Sequence, residues 1–494
     1  MKHKKLTAFL VILLIICVMV VPFCKKDDSP LTQRLNDGKL SSICSEKLTY
    51  AERRQQVVDF YELQLSFQWS PDMDVDDYPV NYIEDTKQLK KENYYSGIPY
   101  QSLGTGNLYR WMEYYDEKSG VMKLEEAFAE NGGYGEAGVT QDEGVREDGR
   151  FHKKYLSFMT MFNQCSASCY WSCGRVLNSA SFGWTYDVNV YNGFIPVGLF
   201  TYPDMTTIDE FARQTQLNPD SYGVPDIFGD WEEYNPDKTV YDCYAQMKPG
   251  DLIAKQGHVM MIKTVTVARK EDGSVDERKS GVTVLEQAEP WSVESTLDGK
   301  PYLTQGRNGY PFTFEQLAGG QYLPWTFAEY LDPEDEQDRQ HLEFYESVIV
   351  PLNIHKRAYS VFEFTDDELK EMSGSGIEKA RVFTTLAEGR DSITAQELSS
   401  LTIGANYGIS DVFVTVKSGS GQVLLENIYR ALEIDVREVP MSAGKSTHET
   451  DGQGRRLTLT DGCAELATGE NTVEISLQLS TGEKLTAFSG RLMP

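Results

Sequence analysis

Apolar positions along the chain change their spacing several times, and each change marks a different element. Leu6 to Phe23 is almost uninterruptedly apolar. As a helix at about 1.5 Å per residue it would reach roughly 27 Å, just enough to cross a bilayer. Residues 25–48 are polar and read as a spacer. From Thr49 to Phe67 the spacing turns helical, with Thr49 placed as N-cap and Glu52 in the first turn. An acidic, aromatic region follows and contains "YYSGIPYQSLGTG" (Tyr94 to Gly106). Gly and charge dominate Ala129 to Arg150, which reads as a long surface loop. The next stretch, "NQCSASCYWSCGRVLN" (Asn163 to Asn178), suits a buried helix from about Cys165 to Leu177.

Strand patterns take over downstream. "GDLIAKQGHVMMIKTVTVARK" and "GVTVLEQAEPW" are β-rich runs joined by a polar link, and they predict an antiparallel pair. "FYESVIVPLN" (Phe344 to Asn353) is placed in the same sheet. A helix followed by antiparallel strands makes an α+β domain over residues 49–358. From about Ser360 short β-rich runs alternate with Gly, Asn and Ser turns. That spacing predicts an immunoglobulin-like β-sandwich over 359–494 with a core of its own, although a Cys–Trp–Cys signature is missing. With 494 residues, two or three domains are expected.

Composition fixes the compartment and removes some partners. Lys2, Lys4 and Lys5 precede the apolar run and stay inside, so everything after Lys25 is placed outside the cytoplasm. Residues 1–24 serve as a cleaved signal or as a retained membrane anchor; both readings imply export. Bulky Phe23 argues against lipid attachment at Cys24. A formal net charge of −28 argues against nucleic acid and against adhesion to anionic membranes, leaving the N-terminal segment as the membrane contact. Two of the eight cysteines fall in the export segment, and six in the rest are too sparse for a disulfide scaffold. Whether Cys44, Cys243 and Cys463 pair stays open. No Cys/His cluster has zinc spacing, so no metal or other cofactor is called for.

The chemistry converges on Cys165 and His258. His258 opens an apolar strand just after the turn signal Pro249-Gly250-Asp251, and Cys165 is the first cysteine of its helix. A thiolate is stabilised by the unpaired N–H groups of a helix start and by a nearby imidazolium. Cysteine and histidine placed like this suggest a nucleophile and its base. Cys169 and Cys173, one and two turns later, suit apolar packing. A third group usually orients the imidazole. Glu286 is preferred because it shares a strand face with Val282 and Val284; Gln287, on the other face, is the alternative. The backbone N–H of Cys165 is the oxyanion donor.

At these residues the chain resembles the NlpC-like papain-fold peptidases and the related CHAP amidases. "NQCSASCYWSCGRV" followed by "KPGDLIAKQGHVMMI" looks like their Cys and His boxes, and "GVTVLEQA" resembles the CHAP strand with the acidic third residue. "SGIPY" (Ser96 to Tyr100) is similar to the G-x-P-Y box that lines the substrate site. The resemblance covers roughly residues 50–355. It implies a papain-like fold, hydrolysis of peptide or amide bonds, most naturally in peptidoglycan, and substrate contacts from Tyr100, Gln164 and Ser166. It also departs from the pattern. An insertion around residues 101–160 separates Tyr100 from Cys165. Gln164 replaces the aspartate that holds a free amino terminus in NlpC-like members, and no basic wall-binding repeat is present. A catalytically degenerate surface-binding protein on the same fold is the alternative. Oligomeric state is not legible.

Overall fold

The computed structural model describes residues 48–80, 86–131, 158–201, 231–352, 379–443 and 458–494, apart from a few positions within them, together with scattered residues elsewhere. The apolar run 6–23, most of the spacer and most of the loop 129–150 lie outside these residues. Among the described residues no helix is long and apolar enough to cross a membrane. Leu31 and Leu35, within the stretch read as a spacer, are buried in the main core.

The fold mixes helices with several sheets. Helix α1 (Tyr50–Ser66) begins with a full capping box, in which Thr49 and Glu52 satisfy each other's backbone N–H groups. Strands β1 (Gln68–Pro71), β2 (Tyr94–Ser96), β3 (Tyr115–Asp116), β4 (Val121–Met122), β5 (Ile195–Pro196), β6 (Leu252–Lys255), β7 (His258–Thr266), β8 (Gly281–Leu297), β9 (Lys300–Thr313) and β10 (Leu323–Thr326) form one sheet. Its order is β3-β4-β1-β2-β9-β8-β7-β6-β10-β5. Helix α3 (Cys165–Cys173) packs on β7, β8 and α1, while α2 (Leu108–Tyr114) lies in the region read as an insertion. Gln64 of α1 ties the two packed helices together, donating to Ser172 Oγ at 2.7 Å and to the Ser168 carbonyl.

The antiparallel pairing of β7 with β8 is as the strand pattern predicts. The first run, however, is two strands. β6 and β7 pair tightly, Lys255 opposite His258, with Gly257 in the left-handed region at φ 79°. Ahead of β6 the Pro249-Gly250-Asp251 turn is clamped by Arg54, whose Nη1 lies 2.6 Å from Asp251 Oδ1 with both side chains buried. That ion pair anchors α1 to the strand that leads into His258.

Two expectations need correction. The run from Phe344, described as far as Leu352, does not finish the sheet. A helix (Glu336–Phe344), N-capped by Asp335, continues into a π-helical turn (Tyr345–Ile349) and a 3-10 turn (Val350–Leu352). Tyr345 and Ile349, spaced for a helical face, fill a small cluster with Ile195, Ala328 and Leu331. Helix α3 also ends at Cys173 rather than Leu177; beyond it the Arg175 and Val176 N–H groups turn back to the Ser172 and Cys173 carbonyls, three residues away.

The C-terminal strands are β11 (Val382–Thr384), β12 (Ser392–Thr394), β13 (Thr402–Ala405), β14 (Ile409–Lys417), β15 (Val423–Arg430), β16 (Glu438–Pro440), β17 (Thr472–Leu479) and β18 (Lys484–Met493). They make two sheets, β11-β13-β16 and β12-β18-β17-β14-β15, around one buried cluster that includes Ile403, Val414, Val439, Ile475 and Leu477. This unit is docked against α3 and α2 through polar contacts. Tyr170 of α3 donates to Asp435 at 2.9 Å, and Ser480 donates to the Gly174 carbonyl at 2.8 Å. Asp411 lies 2.9 Å from Arg110 of α2 and 3.2 Å from Arg430. A side chain at position 408 would collide with the Tyr170 hydroxyl, since a Cβ there would stand 1.8 Å from it.

Candidate active site

Three elements bring their ends together at one place. Cys165 is the first residue of α3 and is 4 % exposed, with Gln164 as its N-cap. His258 is the first residue of β7, fixed there by the tight β6–β7 turn. Glu286 lies on β8 just past an irregularity in the pairing of β8 with both neighbours. Such bulges bend a strand and re-aim its side chains. Glu286 Oε1 is 2.7 Å from His258 Nε2. Cys165 is close enough to the same ring to raise its basicity. With Nε2 engaged by the carboxylate, Nδ1 is the nitrogen that remains for sulfur.

Burial alone would push the His258 imidazolium towards lower pKa. Its interactions with Cys165 and Glu286 outweigh that and lift it to about 9. The Tyr322 ring stands edge-on to His258, 6.4 Å between centroids. Burial raises the Tyr322 hydroxyl to about 12, with added repulsion from Glu286 and Cys165. Lys255, opposite His258, caps that tyrosine, its Nζ 4.8 Å from the ring centroid.

Of the two candidates for the orienting group, Glu286 is the one at the ring. Gln287 points elsewhere: its Nε2 donates to the Ile98 carbonyl at 2.6 Å, and its backbone N–H donates to Tyr61 Oη. Gln287 thereby ties β8 to the Gly97–Tyr100 segment. Asn163 ties that segment to the start of α3, donating from its backbone to the Pro99 carbonyl and accepting from the Gln101 N–H at 2.8 Å. Half-buried Tyr100 is therefore held beside Asn163, two residues before Cys165 in the sequence. Ser166 is fully buried.

The start of α3 carries an unusual set of buried polar atoms without a protein partner: Asn163 Nδ2, Gln164 Nε2, Ser166 Oγ and Ser168 Oγ. Leaving such groups unpaired costs roughly 1–3 kcal/mol each, so they call for an explanation. Gln164, 5 % exposed, carries an amide donor at the position next to Cys165. Cys169 and Cys173 are fully buried in the core. Burial pushes the Cys169 thiol well up and the Cys173 thiol to about 12, which leaves both inert. Cys243 and Cys463 are buried and unpaired. Among the described residues no group of His, Cys, Asp or Glu could hold a metal ion.

Arg307 was not foreseen. It lies opposite Glu286 on β9, with Nη1 3.2 Å from Glu286 Oε2. No family model, no curated protein and no solved structure matches this chain.

Proposed function

We propose that the chain is an exported thiol hydrolase of papain-like fold that cleaves peptide or amide bonds, with peptidoglycan as its substrate and the C-terminal sheets as an immunoglobulin-like module. One observation carries the reading: a histidine hydrogen-bonded to a carboxylate, with a cysteine at a helix start close enough to raise the ring's basicity. In this reading His258 takes the Cys165 proton, and the thiolate attacks the scissile carbonyl carbon. The carbonyl oxygen gathers the negative charge, and the backbone N–H of Cys165 and the Gln164 amide Nε2 are assigned as its donors. Collapse of the adduct breaks the C–N bond, and His258 returns the proton to the leaving amine. A thioester remains. Water, deprotonated by His258, then releases the acid and restores the thiol. Tyr100 is assigned to substrate contact, and residues 6–23 to export or anchorage at the cell membrane.

The test is digestion of purified peptidoglycan followed by mass analysis of the fragments, with a thiol-reactive probe applied in parallel. New amine and carboxyl ends in the fragments, and fast labelling of Cys165 near neutral pH, are the expected results. Absence of both would favour a surface-binding protein that keeps the fold without the chemistry.

The proton on His258 sets the pH profile. Because hydrogen bonding and charge raise its pKa, the imidazolium persists to about 9 and is lost above it. The alkaline limb of kcat/KM is expected there. In Glu286→Gln the ring loses a charged acceptor, so the limb should move down towards the ordinary histidine value of about 6.5. A limb that stays in place in that variant would show that Glu286 does not act on the ring.

Substrate choice follows from Gln164. A free amino terminus is cationic, and a neutral amide offers it no charge-assisted hydrogen bond, which is worth roughly 1.5–3 kcal/mol. Blocking the amino terminus of a stem peptide, or leaving its sugar attached, is therefore expected to change turnover by less than about tenfold, since about 1.4 kcal/mol is a factor of ten. Matched free and blocked stem peptides measure this. A strong preference for the free amine would mean that another acidic group holds it.

A further inference from the structure

Glu286 holds a positive or proton-donating partner on each of its oxygens. Oε1 faces His258 Nε2 at 2.7 Å, and Oε2 faces Arg307 Nη1 at 3.2 Å. Arg307 comes from β9, directly opposite Glu286 in the β8–β9 pairing. Opposed residues of an antiparallel pair share a face, with Cβ atoms about 4.5–5.5 Å apart. The guanidinium is itself seated, its central carbon 4.4 Å from the Tyr310 ring centroid. The Glu286 side chain is 7 % exposed and that of Arg307 23 %. The contact is ionic rather than an aligned hydrogen bond, since no hydrogen bond reaches Oε2.

The last torsion of a glutamate is broad and nearly two-fold. A carboxylate held only by an imidazole could turn away from it or exchange its oxygens. A cation fixed by the neighbouring strand removes that freedom.

We propose that Arg307 is a positioning residue that locks the Glu286 carboxylate onto His258, extending the line Cys165–His258–Glu286 by one member on β9. This rests on the thiol-hydrolase reading. Arg307 acts through Glu286 and is assigned no contact with substrate.

Two effects of removing Arg307 have opposite sign, and that makes the idea testable. The groups around His258 are Cys165 from α3, Glu286 from β8, Lys255 from β6 and Tyr322 ahead of β10, with Arg307 of β9 behind Glu286. Losing a nearby cation would by charge alone raise the His258 pKa. Losing the alignment of Glu286 would lower it. The proposal requires the second to win.

The measurement is the titration of the His258 ring by NMR on the full-length protein carrying labelled histidine. The wild type is compared with Arg307→Gln, Arg307→Met, Arg307→Lys and Glu286→Gln. Glu286→Gln should lower the midpoint by about one unit or more. Arg307→Gln and Arg307→Met should lower it by at least half of that shift, and Arg307→Lys should stay near the wild type. An unchanged or raised midpoint in the first two Arg307 variants overturns the proposal, as does failure of both to fold, which would make Arg307 merely structural. The titration reads the His258–Glu286 contact whether or not the protein cuts anything. Lack of peptidoglycan cleavage by the wild type would count against the hydrolase reading alone.

Discussion

Cys165→Ala is expected to lose hydrolysis by on the order of 10⁶-fold, the scale on which a hydrolase responds to removal of its nucleophile. The fold should survive, because the change deletes one sulfur at the first turn of α3, where the residue is 4 % exposed. Cys169→Ala and Cys173→Ala should behave in the opposite way. Both thiols are fully buried and raised well out of the reactive range, so activity per folded molecule should persist while stability falls by about 1 kcal/mol. Progress curves on peptidoglycan and denaturant melts of the three variants separate the cases. Full activity in Cys165→Ala would move the site elsewhere or end the enzyme reading.

The parts of the site legible in the sequence were those fixed by local rules. A helix start marks Cys165, a strand start after a turn marks His258, and two-fold alternation means that only one of Glu286 and Gln287 can face the ring, which is Glu286. The Thr49–Glu52 capping box is equally local. Features set by distant pairing were hidden. Counting back along the β8–β9 hairpin from Leu297 opposite Lys300, an unbroken register would face Glu286 with Pro311. Two register shifts on the way bring it to Arg307 instead. Alternation says nothing about such shifts, so the partner of Glu286 could not be read. The run Phe344–Asn353 misled for another reason. Its β-branched residues look strand-like, but a capped helix enters it and its buried positions, Tyr345 and Ile349, are four apart. Nor did composition reveal that charged residues of the C-terminal sheets, Asp411 and Arg430, are buried against α2.

Those buried charges carry the other large effect. Asp411 and Arg110 are essentially inaccessible, as is Arg430, which also reaches Glu113 at 2.6 Å. Arg110 further donates to the Thr160, Ser410 and Ala431 carbonyls, so it spans the junction between α2 and the strands β14 and β15. Removing one member of a buried ion pair leaves an uncompensated charge and costs about 3–5 kcal/mol. Asp411→Ala should therefore destabilise the whole chain by that amount at neutral pH. The sign of its pH dependence follows from its surroundings. Burial pushes the Asp411 carboxyl up, but Arg110 and Arg430 outweigh that and hold it below its ordinary value. Its contribution is thus fully present above the unfolded pKa of about 3.9 and is lost as pH falls through the lower folded value. Denaturant melts at neutral and acid pH measure both. The wild type should lose more stability on acidification than Asp411→Ala, because only the wild type has this carboxylate to protonate. The C-terminal unit, expressed alone as residues 360–494, should still give a cooperative β-type melt, since the cluster around Val414, Ile475 and Leu477 is its own. There too Asp411→Ala should matter less, because Arg110 is no longer present to be left unpaired. Equal costs in the fragment and the full chain would show that the Arg110–Asp411 junction does not couple the two parts.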